Sequence, residues 1–335
     1  MKPSIKEILI YGAPLPLIVV SLFVGPSDII GAGDLFDWCI GSITNARHDQ
    51  GSEMIKAIVL DVRLPRILLS FLVGSGLTVS GNSFQALFRN PLVSPDILGL
   101  SAGAAFGAAL ALVFPLLPLQ PSAFLFGLLA VGASYFLALA GRGVSTVSLI
   151  LAGVIISGLF TALLTVVQFL ADPFKLQTIV HWTMGNLHNA SWSKVTSAAL
   201  PILVGMTWLF VMRWRLNVIA LGDEETRAVG LNPEREKLMI LLPATLAASA
   251  SVAVAGIIGM VGLAIPHVVR MLMGPDNKKT QPVSIAFGGS FLLLVDDLSR
   301  TLTSFEMPIG IFTTLIGGPL FIYLLKKRHM LYKEP

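Results

Sequence analysis

Long apolar runs separated by short polar turns constrain this sequence more than any other feature. A helix needs about 20 apolar residues to cross a bilayer, so 335 residues leave room for about eight to eleven crossings. Only 13% of the residues are charged, against roughly 25% in soluble proteins. The pattern predicts an all-α membrane protein, a bundle of about ten transmembrane helices with both termini in the cytoplasm.

The polar turns set the limits of the predicted spans. We place these spans at about residues 8–25, 65–88, 96–114, 122–140, 147–171, 195–212, 237–255, 261–273, 283–300 and 308–325. Residues 26–60 are predicted to form an external segment with a short amphipathic helix, and 172–193 a short external interfacial helix. No polar stretch is long enough for a separate soluble domain, so residues 1–335 form one predicted transmembrane domain.

The charge distribution bears on orientation and on partners. The net charge of +4 is modest, and basic residues are more frequent in the turns assigned to the cytoplasm. That bias is typical of a protein in contact with membrane lipid and does not indicate nucleic-acid binding. The single cysteine, Cys39, excludes an internal disulfide framework.

Three arginines depart from this bias, since Arg63, Arg66 and Arg300 are predicted at the outer mouth. One interpretation is a basic rim that binds carboxylates of an external partner. The alternative is contact with lipid headgroups or local ion pairs. Asp296 and Asp297 lie one turn from Arg300, and intramembrane acids are functional candidates by default. An ion pair or cap near the mouth is the favoured interpretation for both acids.

Two helices carry a polar stripe at helical spacing. Thr78, Asn82, Gln85 and Arg89 share one face of the second span, where nearby glycines favour interhelical packing. The fifth span carries the second stripe, which favours the lining of a pathway: Ser157, Thr161, Thr165 and Gln168.

The segment 216–236 is the most polar internal stretch of the second half. Residues 220–231 are predicted to form two or three helical turns, with Gly230 as a left-handed C-terminal cap. Asn232 and Pro233 then predict a helix start. A short cytoplasmic helix with an apolar edge favours docking of a partner over an ordinary solvated loop.

Several motifs of enzymes are missing from the sequence. It contains no G-x-x-x-x-G-K-[ST] phosphate loop, no H-E-x-x-H and no G-x-S-x-G. His181 and His188 lack accompanying cysteine or carboxylate ligands, so we predict no metal site. The chain is therefore not expected to be an enzyme or to bind a cofactor of its own.

Six stretches together resemble the FecCD-type permeases of binding-protein-dependent ABC importers for iron–siderophores, haem and vitamin B12. They are RLPR at 63–66, GNSFQALFRNPLVSPDILGLSAGA at 81–104, LILAGV at 149–154, ALGDEETRAVGLN at 220–232, GLAIPHVVR at 262–270 and MPIGIFTTLIGGPLFIYLL at 307–325. The resemblance implies a permease in the inner membrane of a bacterial or archaeal cell. It also implies a second permease copy, two cytoplasmic ATPase subunits that bind ATP and magnesium, and a periplasmic binding protein.

The resemblance also implies roles for individual residues. Arg63, Arg66 and Arg300 match arginines that meet the binding protein. Asn90 and Leu92, with Thr146 and Val147, match the cytoplasmic gate. The segment that matches the ATPase-coupling helices consists of Leu221, Gly222, Asp223, Glu224, Glu225, Thr226, Arg227, Ala228, Val229, Gly230 and Leu231. The translocation path is implied at the dimer interface, with the fifth and tenth spans prominent.

Two other function classes make different demands on the sequence. An ion-coupled secondary transporter would use Asp296 or Asp297 for proton or sodium coupling. A membrane-embedded enzyme would need clustered acids, histidine or serine at one depth, and the sequence shows no such cluster.

Overall fold

A computed structural model describes residues 5–25, 33–36, 38, 50–139, 145–302 and 307–331. Every extended regular element within these ranges is helical. The α-helices are α1 (Ile5–Gly12), α2 (Pro14–Phe23), α3 (Gln50–Ala57), α4 (Leu64–Leu87), α5 (Leu100–Val113), α6 (Leu119–Leu139), α7 (Thr146–Leu170), α8 (Pro173–Thr183), α9 (Trp192–Val211), α10 (Arg213–Leu221), α11 (Asp223–Ala228), α12 (Pro233–Ala255), α13 (Val261–Met273), α14 (Asn277–Thr301) and α15 (Ile309–Leu331). A π-helical segment, Ile58–Arg63, joins α3 to α4, and the 3₁₀ turn Pro95–Leu98 precedes α5.

Five of these helices are long and apolar enough to cross a membrane: α6, α7, α9, α12 and α14. Shorter apolar helices cover Leu9–Phe23, Leu100–Val113, Val261–Met273 and Ile309–Leu324. The structure is therefore an all-helical bundle with several apolar helices, as the sequence predicts for a multi-pass membrane protein.

The helix α4 lies at the centre of the bundle and is buried along nearly its whole length. It packs against α9, α12, α13 and α14. Small residues permit this packing, since a Cβ atom on Gly74 would overlap the backbone of Gly288, and one on Gly81 would overlap the backbone of Gly262. Close backbone approach at small residues is the usual basis of helix packing in membranes.

Several helix starts and ends that the sequence predicts agree with the structure. The side chain of Asn232 caps α12 by accepting hydrogen bonds from the backbone N–H groups of Glu234 and Arg235, at 3.0 and 3.4 Å. Pro233 occupies the first helical position, where its missing N–H has no cost. Gly230 has a left-handed backbone, with φ of 81°. The predicted break before the eighth span is also present, because α12 ends at Ala255 and α13 begins at Val261.

The predicted first span is one apolar helix over Leu9–Phe23, in which a single turn residue, Ala13, separates α1 from α2. Two predicted boundaries elsewhere were wrong. The predicted turn at 274–282 is mostly helix, since the Asp276 carboxylate accepts from the Lys278 N–H at 2.9 Å and starts α14 at Asn277. Residues 220–231 are divided at Gly222, whose φ of 153° and ψ of 171° lie outside the helical region and separate α10 from α11.

Most of residues 26–60, predicted as an external segment, fall outside the described residues. Within the described part, α3 is the short helix expected there. The interfacial helix predicted in 172–193 is α8, which is capped by Asp172 through hydrogen bonds from the N–H groups of Phe174 and Lys175.

Candidate translocation path and coupling site

The helix α7 is the least enclosed of the five long apolar helices. Its apolar stretch has the highest hydropathy of the five, and only 11% of that stretch is buried inside the chain, against 72% for α12. Its exposed apolar side chains include Val154, Ile155 and Leu159. An apolar helix with so little cover from its own chain needs lipid or another apolar surface around it.

The predicted pathway residues share one side of α7. Thr161 and Thr165 are exposed, while Ser157 and Gln168 are half-buried. The Thr165 hydroxyl donates to the Thr161 carbonyl oxygen at 2.9 Å, so part of its polarity is satisfied within the helix. The backbone at Ser157 packs closely against Gly99, which ties the middle of α7 to the start of α5.

The predicted gate residues lie in two separate segments at one end of the bundle. In the first, the Asn90 side chain accepts a hydrogen bond from the Leu92 N–H at 2.9 Å, which orders the turn after α4. Arg89 before it has a φ of 53°, an uncommon conformation for a non-glycine residue. The Leu92 side chain is 52% exposed.

The second gate segment, Thr146 and Val147, forms the first two residues of α7. Ser145 caps this helix by accepting from the Ser148 N–H at 3.0 Å. The Val147 side chain is 65% exposed. The Pro95–Leu98 turn packs against α7 at Gly153, where a Cβ atom would overlap the Ile97 carbonyl oxygen. The turn that follows the first gate segment therefore contacts α7 about two helical turns after the second gate segment.

The coupling segment, residues 221–231, folds around a buried threonine. Thr226 is fully buried, and its hydroxyl donates to the Gly222 carbonyl oxygen at 2.6 Å. The Asp223 carboxylate pairs with the buried Lys237 ammonium of α12 at 2.6 Å. Leu221, the last residue of α10, is 68% exposed, and Val229, which follows α11, is 61% exposed. The coupling segment is thus tied to α12 by an ion pair and exposes two apolar side chains.

The coupling segment also approaches the first gate segment. A Cβ atom on Gly222 would lie 3.3 Å from a guanidinium nitrogen of Arg89. A glycine at this position leaves room for the Arg89 side chain and for the nearby Glu225 carboxylate. The Arg89 side chain, from the turn after α4, therefore lies against the start of α11.

Asn217 connects α10 to the start of α14. Its amide donates to the Asp276 carboxylate at 2.6 Å, and its carbonyl oxygen accepts from the Asn277 N–H at 2.7 Å. The hydrogen bond from Asn217 lowers the pKa of the Asp276 carboxyl below its ordinary value. The lowered pKa favours the ionised carboxylate, which caps α14 by accepting a hydrogen bond from the Lys278 N–H.

A buried polar network continues from Asn277 into the bundle. The Asn82 amide nitrogen lies 3.0 to 3.2 Å from oxygens of Asn277, Thr280 and Gln281, and its carbonyl oxygen accepts from Arg270 at 3.2 Å. The amide has two N–H groups for three acceptors, so at least one hydrogen bond is shared. The network joins α4, α13 and α14 near the coupling segment.

This network bears out the packing interpretation of the stripe on the second span. Gln85 donates to the Leu263 carbonyl oxygen at 3.0 Å, which adds another contact between α4 and α13. Sequence reasoning missed the partners Asn277, Thr280 and Gln281, because they fell within the predicted turn. Their spacing of three and four residues, which places them on one helical face, is the signal that could have identified them.

The three arginines predicted at the outer mouth are buried, and two of them form ion pairs. Arg63, Arg66 and Arg300 are 4%, 6% and 2% exposed. Arg66 makes a bidentate contact with Asp296 at 2.9 to 3.1 Å, and Arg300 pairs with Asp297. The two aspartates are thus in the ion pairs that the sequence favoured.

The same residues anchor α2 to the bundle. The Ser21 hydroxyl donates to Asp297 at 2.5 Å, and its carbonyl oxygen accepts from Arg300 at 3.2 Å. Arg63 donates to the Leu22 carbonyl oxygen at 2.7 Å. Arg66 and Arg300 are therefore ion-paired in this structure, and Arg63 is held by a backbone carbonyl oxygen. Contact of the three arginines with an external protein stays a prediction.

His181 and His188 stack with ring centroids 5.7 Å apart and planes inclined by 22°. Across the residues that the structure describes, no group of three or more histidine, cysteine or acidic side chains is placed to hold a metal ion. The pair is a contact between α8 and the following loop, which sequence reasoning treated as two isolated residues.

Comparison with known proteins adds to this geometry. The profile of the FecCD transport family matches residues 13–327. The chain is 40% identical over 281 residues to the hemin transport system permease protein of Yersinia pestis, covering 81% of this chain and 84% of that one. It is 36% identical over 338 residues to the molybdate import system permease protein of Haemophilus influenzae, covering 98% and 99%.

A solved structure described as an inward-facing conformation of a metal-chelate type ABC transporter is similar over nearly the whole chain. The two share 35% sequence identity and a TM-score of 0.83, with 96% of this chain and 99% of that one covered. The chain belongs to the FecCD transport family.

Proposed function

We propose that this chain is the transmembrane permease subunit of an ABC importer that carries a metal chelate of the iron–siderophore, haem or cobalamin class. The family match over residues 13–327 is the observation that carries the proposal. ATP and magnesium bind to a separate ATPase subunit, and a periplasmic binding protein delivers the substrate. The chain contributes conformational change and a path, with no chemistry on the substrate.

The proposed topology has ten membrane spans within one permease domain, with both termini cytoplasmic, in the inner membrane of a bacterial or archaeal cell. Five long apolar helices and four shorter ones support it. The helix α4 completes the set, since its 24 residues extend about 36 Å and exceed the hydrocarbon thickness.

The proposed path lies between two copies of the chain. The low burial of α7 supports this, because a second copy would cover the face that lipid does not. The stripe Ser157, Thr161, Thr165 and Gln168 then lines a polar, uncharged path. Such a lining suits a bulky chelate, which passes through weak contacts without being retained.

In the proposed mechanism, the ATPase moves the coupling segment and thereby biases two states of the gate. Two connections support this route. One is the approach of Gly222 to Arg89 beside Asn90. The other leads from Asn217 through Asn277 to Asn82. The coupling segment and α10, which leads into it, are thereby linked to α4 and to α14.

Docking of the binding protein is proposed at the outer ends of α4 and α14. Arg63, Arg66 and Arg300 are buried, so we propose that they act mainly by holding the helices that form the docking surface. The ion-coupled alternative is less well supported, because Asp296 and Asp297 are engaged by arginines.

The coupling segment provides a direct test of the ATPase partner. We expect Leu221→Asp combined with Val229→Asp to weaken ATPase binding at least about tenfold, since two exposed apolar contacts would become charged. The measurement is retention of the purified ATPase by the immobilised permease. Deletion of 221–231 should abolish retention.

The matched control is Leu116→Asp, because Leu116 is 97% exposed in the turn between α5 and α6, which the topology places outside. This control should retain the ATPase fully. Equal retention by the double variant and the wild type would remove the coupling role from 221–231.

The substrate class is tested on the cognate binding protein. We expect mass spectrometry of that protein, purified from cells, to identify an organic metal chelate. The relatives named for hemin and for molybdate differ in substrate at similar identity, so similarity alone does not choose the cargo. Recovery of a bare oxyanion would contradict the chelate assignment and leave the permease assignment intact.

A further inference from the structure

The connection between α4 and α5 reaches far along α7 without α-helical structure. No α-helix covers residues 88–99. A Cβ atom on Gly153 would overlap the Ile97 carbonyl oxygen, and one on Gly99 would lie 3.2 Å from the Ser157 nitrogen. At 1.5 Å per residue, these contacts lie about 10 and 16 Å from the start of α7. In the proposed topology that start is cytoplasmic, so the connection reaches the depth of the hydrocarbon.

Asp96 exposes a carboxylate in this connection. The residue is exposed, whereas Leu98 two positions later is fully buried. One carboxylate oxygen accepts a hydrogen bond from the Ser101 hydroxyl, and the other accepts from the Ser94 hydroxyl at 3.3 Å. Among the described residues, no cationic side chain pairs with this carboxylate, and α5 and α7 contain no charged residue. Its negative charge is therefore not compensated within the part of the chain that the structure describes.

An exposed carboxylate at membrane depth needs water. Charged side chains within a membrane face water-filled cavities or pair with other groups, because lipid does not solvate them. Irregular backbone at this depth is likewise found only where protein covers it or where it lines a cavity. The connection that carries Asp96 contacts Ser157, the first residue of the polar stripe on α7. A water-filled inner part of the proposed path satisfies both requirements.

We infer that Asp96 makes the inner part of the path select its cargo by charge, so that neutral or cationic metal chelates pass and anionic chelates are disfavoured. The polar stripe on α7 has no charge of its own, so this carboxylate sets the sign of the local potential. A neutral ferric trihydroxamate belongs to the accepted class, and a ferric tris-catecholate belongs to the disfavoured class. The inference rests on the proposed function and narrows its cargo to a charge class.

Charged thiol reagents measure this potential on the purified full-length chain in a Cys39→Ser background. A reporter cysteine replaces either Ser157 or Gln168, which are both half-buried on the same stripe. Rates of modification are compared for a cationic and an anionic methanethiosulfonate. At Ser157→Cys, we expect Asp96→Asn to lower the ratio of the cationic to the anionic rate about fivefold, because the attraction of one reagent and the repulsion of the other are both lost.

The reporter at Gln168 is the distance control. It lies 11 residues further along α7, about 16 Å away, which exceeds the Debye length of about 8 Å at physiological ionic strength. Its ratio should change less than about 1.5-fold on Asp96→Asn. The charge control is Glu53→Gln, which removes an exposed carboxylate of α3 and should leave the ratio unchanged at both reporters.

The outcomes against the inference are distinct. Thermal unfolding establishes that each variant folds, and Asp96→Ser is the second neutral variant where Asp96→Asn does not fold. An unchanged ratio at Ser157→Cys in the neutral variant overturns the inference. Absence of any reaction at Ser157→Cys also overturns it, since the charge selection needs water beside Asp96.

The cargo provides a second readout. The chelate recovered from the cognate binding protein should be neutral or cationic, and an anionic chelate overturns the charge selection. Retention of the ATPase reads the proposed function separately. Loss of that retention, together with the expected effect of Asp96→Asn on the reagent ratio, would remove the importer assignment and leave a water-filled cavity of negative potential.

Discussion

Arg66→Met is expected to lower the free energy of unfolding by about 3 to 5 kcal/mol, because it leaves the Asp296 carboxylate buried without its bidentate partner. Asp296 is fully buried, and Arg66 is 6% exposed. Arg300 remains 3.9 Å from Asp296, so the loss should lie near the lower end of this range. Denaturant unfolding of the purified protein in detergent measures the change.

Two control variants separate burial from charge. The double variant Arg66→Met with Asp296→Leu removes both charges and should recover most of the lost stability, since no charge is left uncompensated. Glu53→Gln breaks the pair with Lys56, whose side chain is 52% exposed. It should cost less than about 1 kcal/mol. A loss in the double variant as large as in Arg66→Met would contradict the role of the uncompensated carboxylate.

Gly81→Ala is expected to cost about 3 kcal/mol or more, at the upper end of overpacking effects. The added Cβ atom would overlap the Gly262 carbonyl oxygen, which belongs to the backbone of α13 and has no rotamer through which to move away. The helices α4 and α13 would have to separate. The same unfolding measurement detects the loss, and reduced yield of folded protein should accompany it.

Gly132→Ala is the matched control within another apolar helix, α6. No atom lies within 4 Å of a Cβ built on Gly132. The substitution should be neutral or stabilise the helix by up to about 1 kcal/mol, since glycine is a poor helix former. Equal losses in Gly81→Ala and Gly132→Ala would show that close packing of α4 on α13 is not the cause.

Local features of the structure were largely predictable from the sequence. The spans around α4, α7, α9 and α12 follow from apolar length, because a backbone in lipid must satisfy its hydrogen bonds within a helix. The start of α12 at Pro233 and the left-handed Gly230 follow from local backbone chemistry. Each of these features depends on a few consecutive residues.

The errors lie where distant residues determine local structure. Residues 277–281 were predicted as turn, yet they form the first turns of α14, where Asn82 and Asn217 provide hydrogen-bond partners. Asn82 and Asn277 are 195 positions apart in the chain. A single sequence contains no information on which amide a buried amide will meet, so the network could not be assembled from it.

The burial of the outer arginines has the same origin. Arg66 and Asp296 are 230 positions apart, and only their packing decides between an exposed basic rim and a closed ion pair. The sequence by itself determined the membrane class, the approximate spans, the Gly230 cap, the start of α12 and the family, because these depend on local composition and ordered motifs. The tertiary structure alone decided that α4 is the central helix, that Arg63, Arg66 and Arg300 are buried, and that α7 is left uncovered. These outcomes depend on which faces meet, and many different pairings of apolar faces are compatible with one hydropathy pattern.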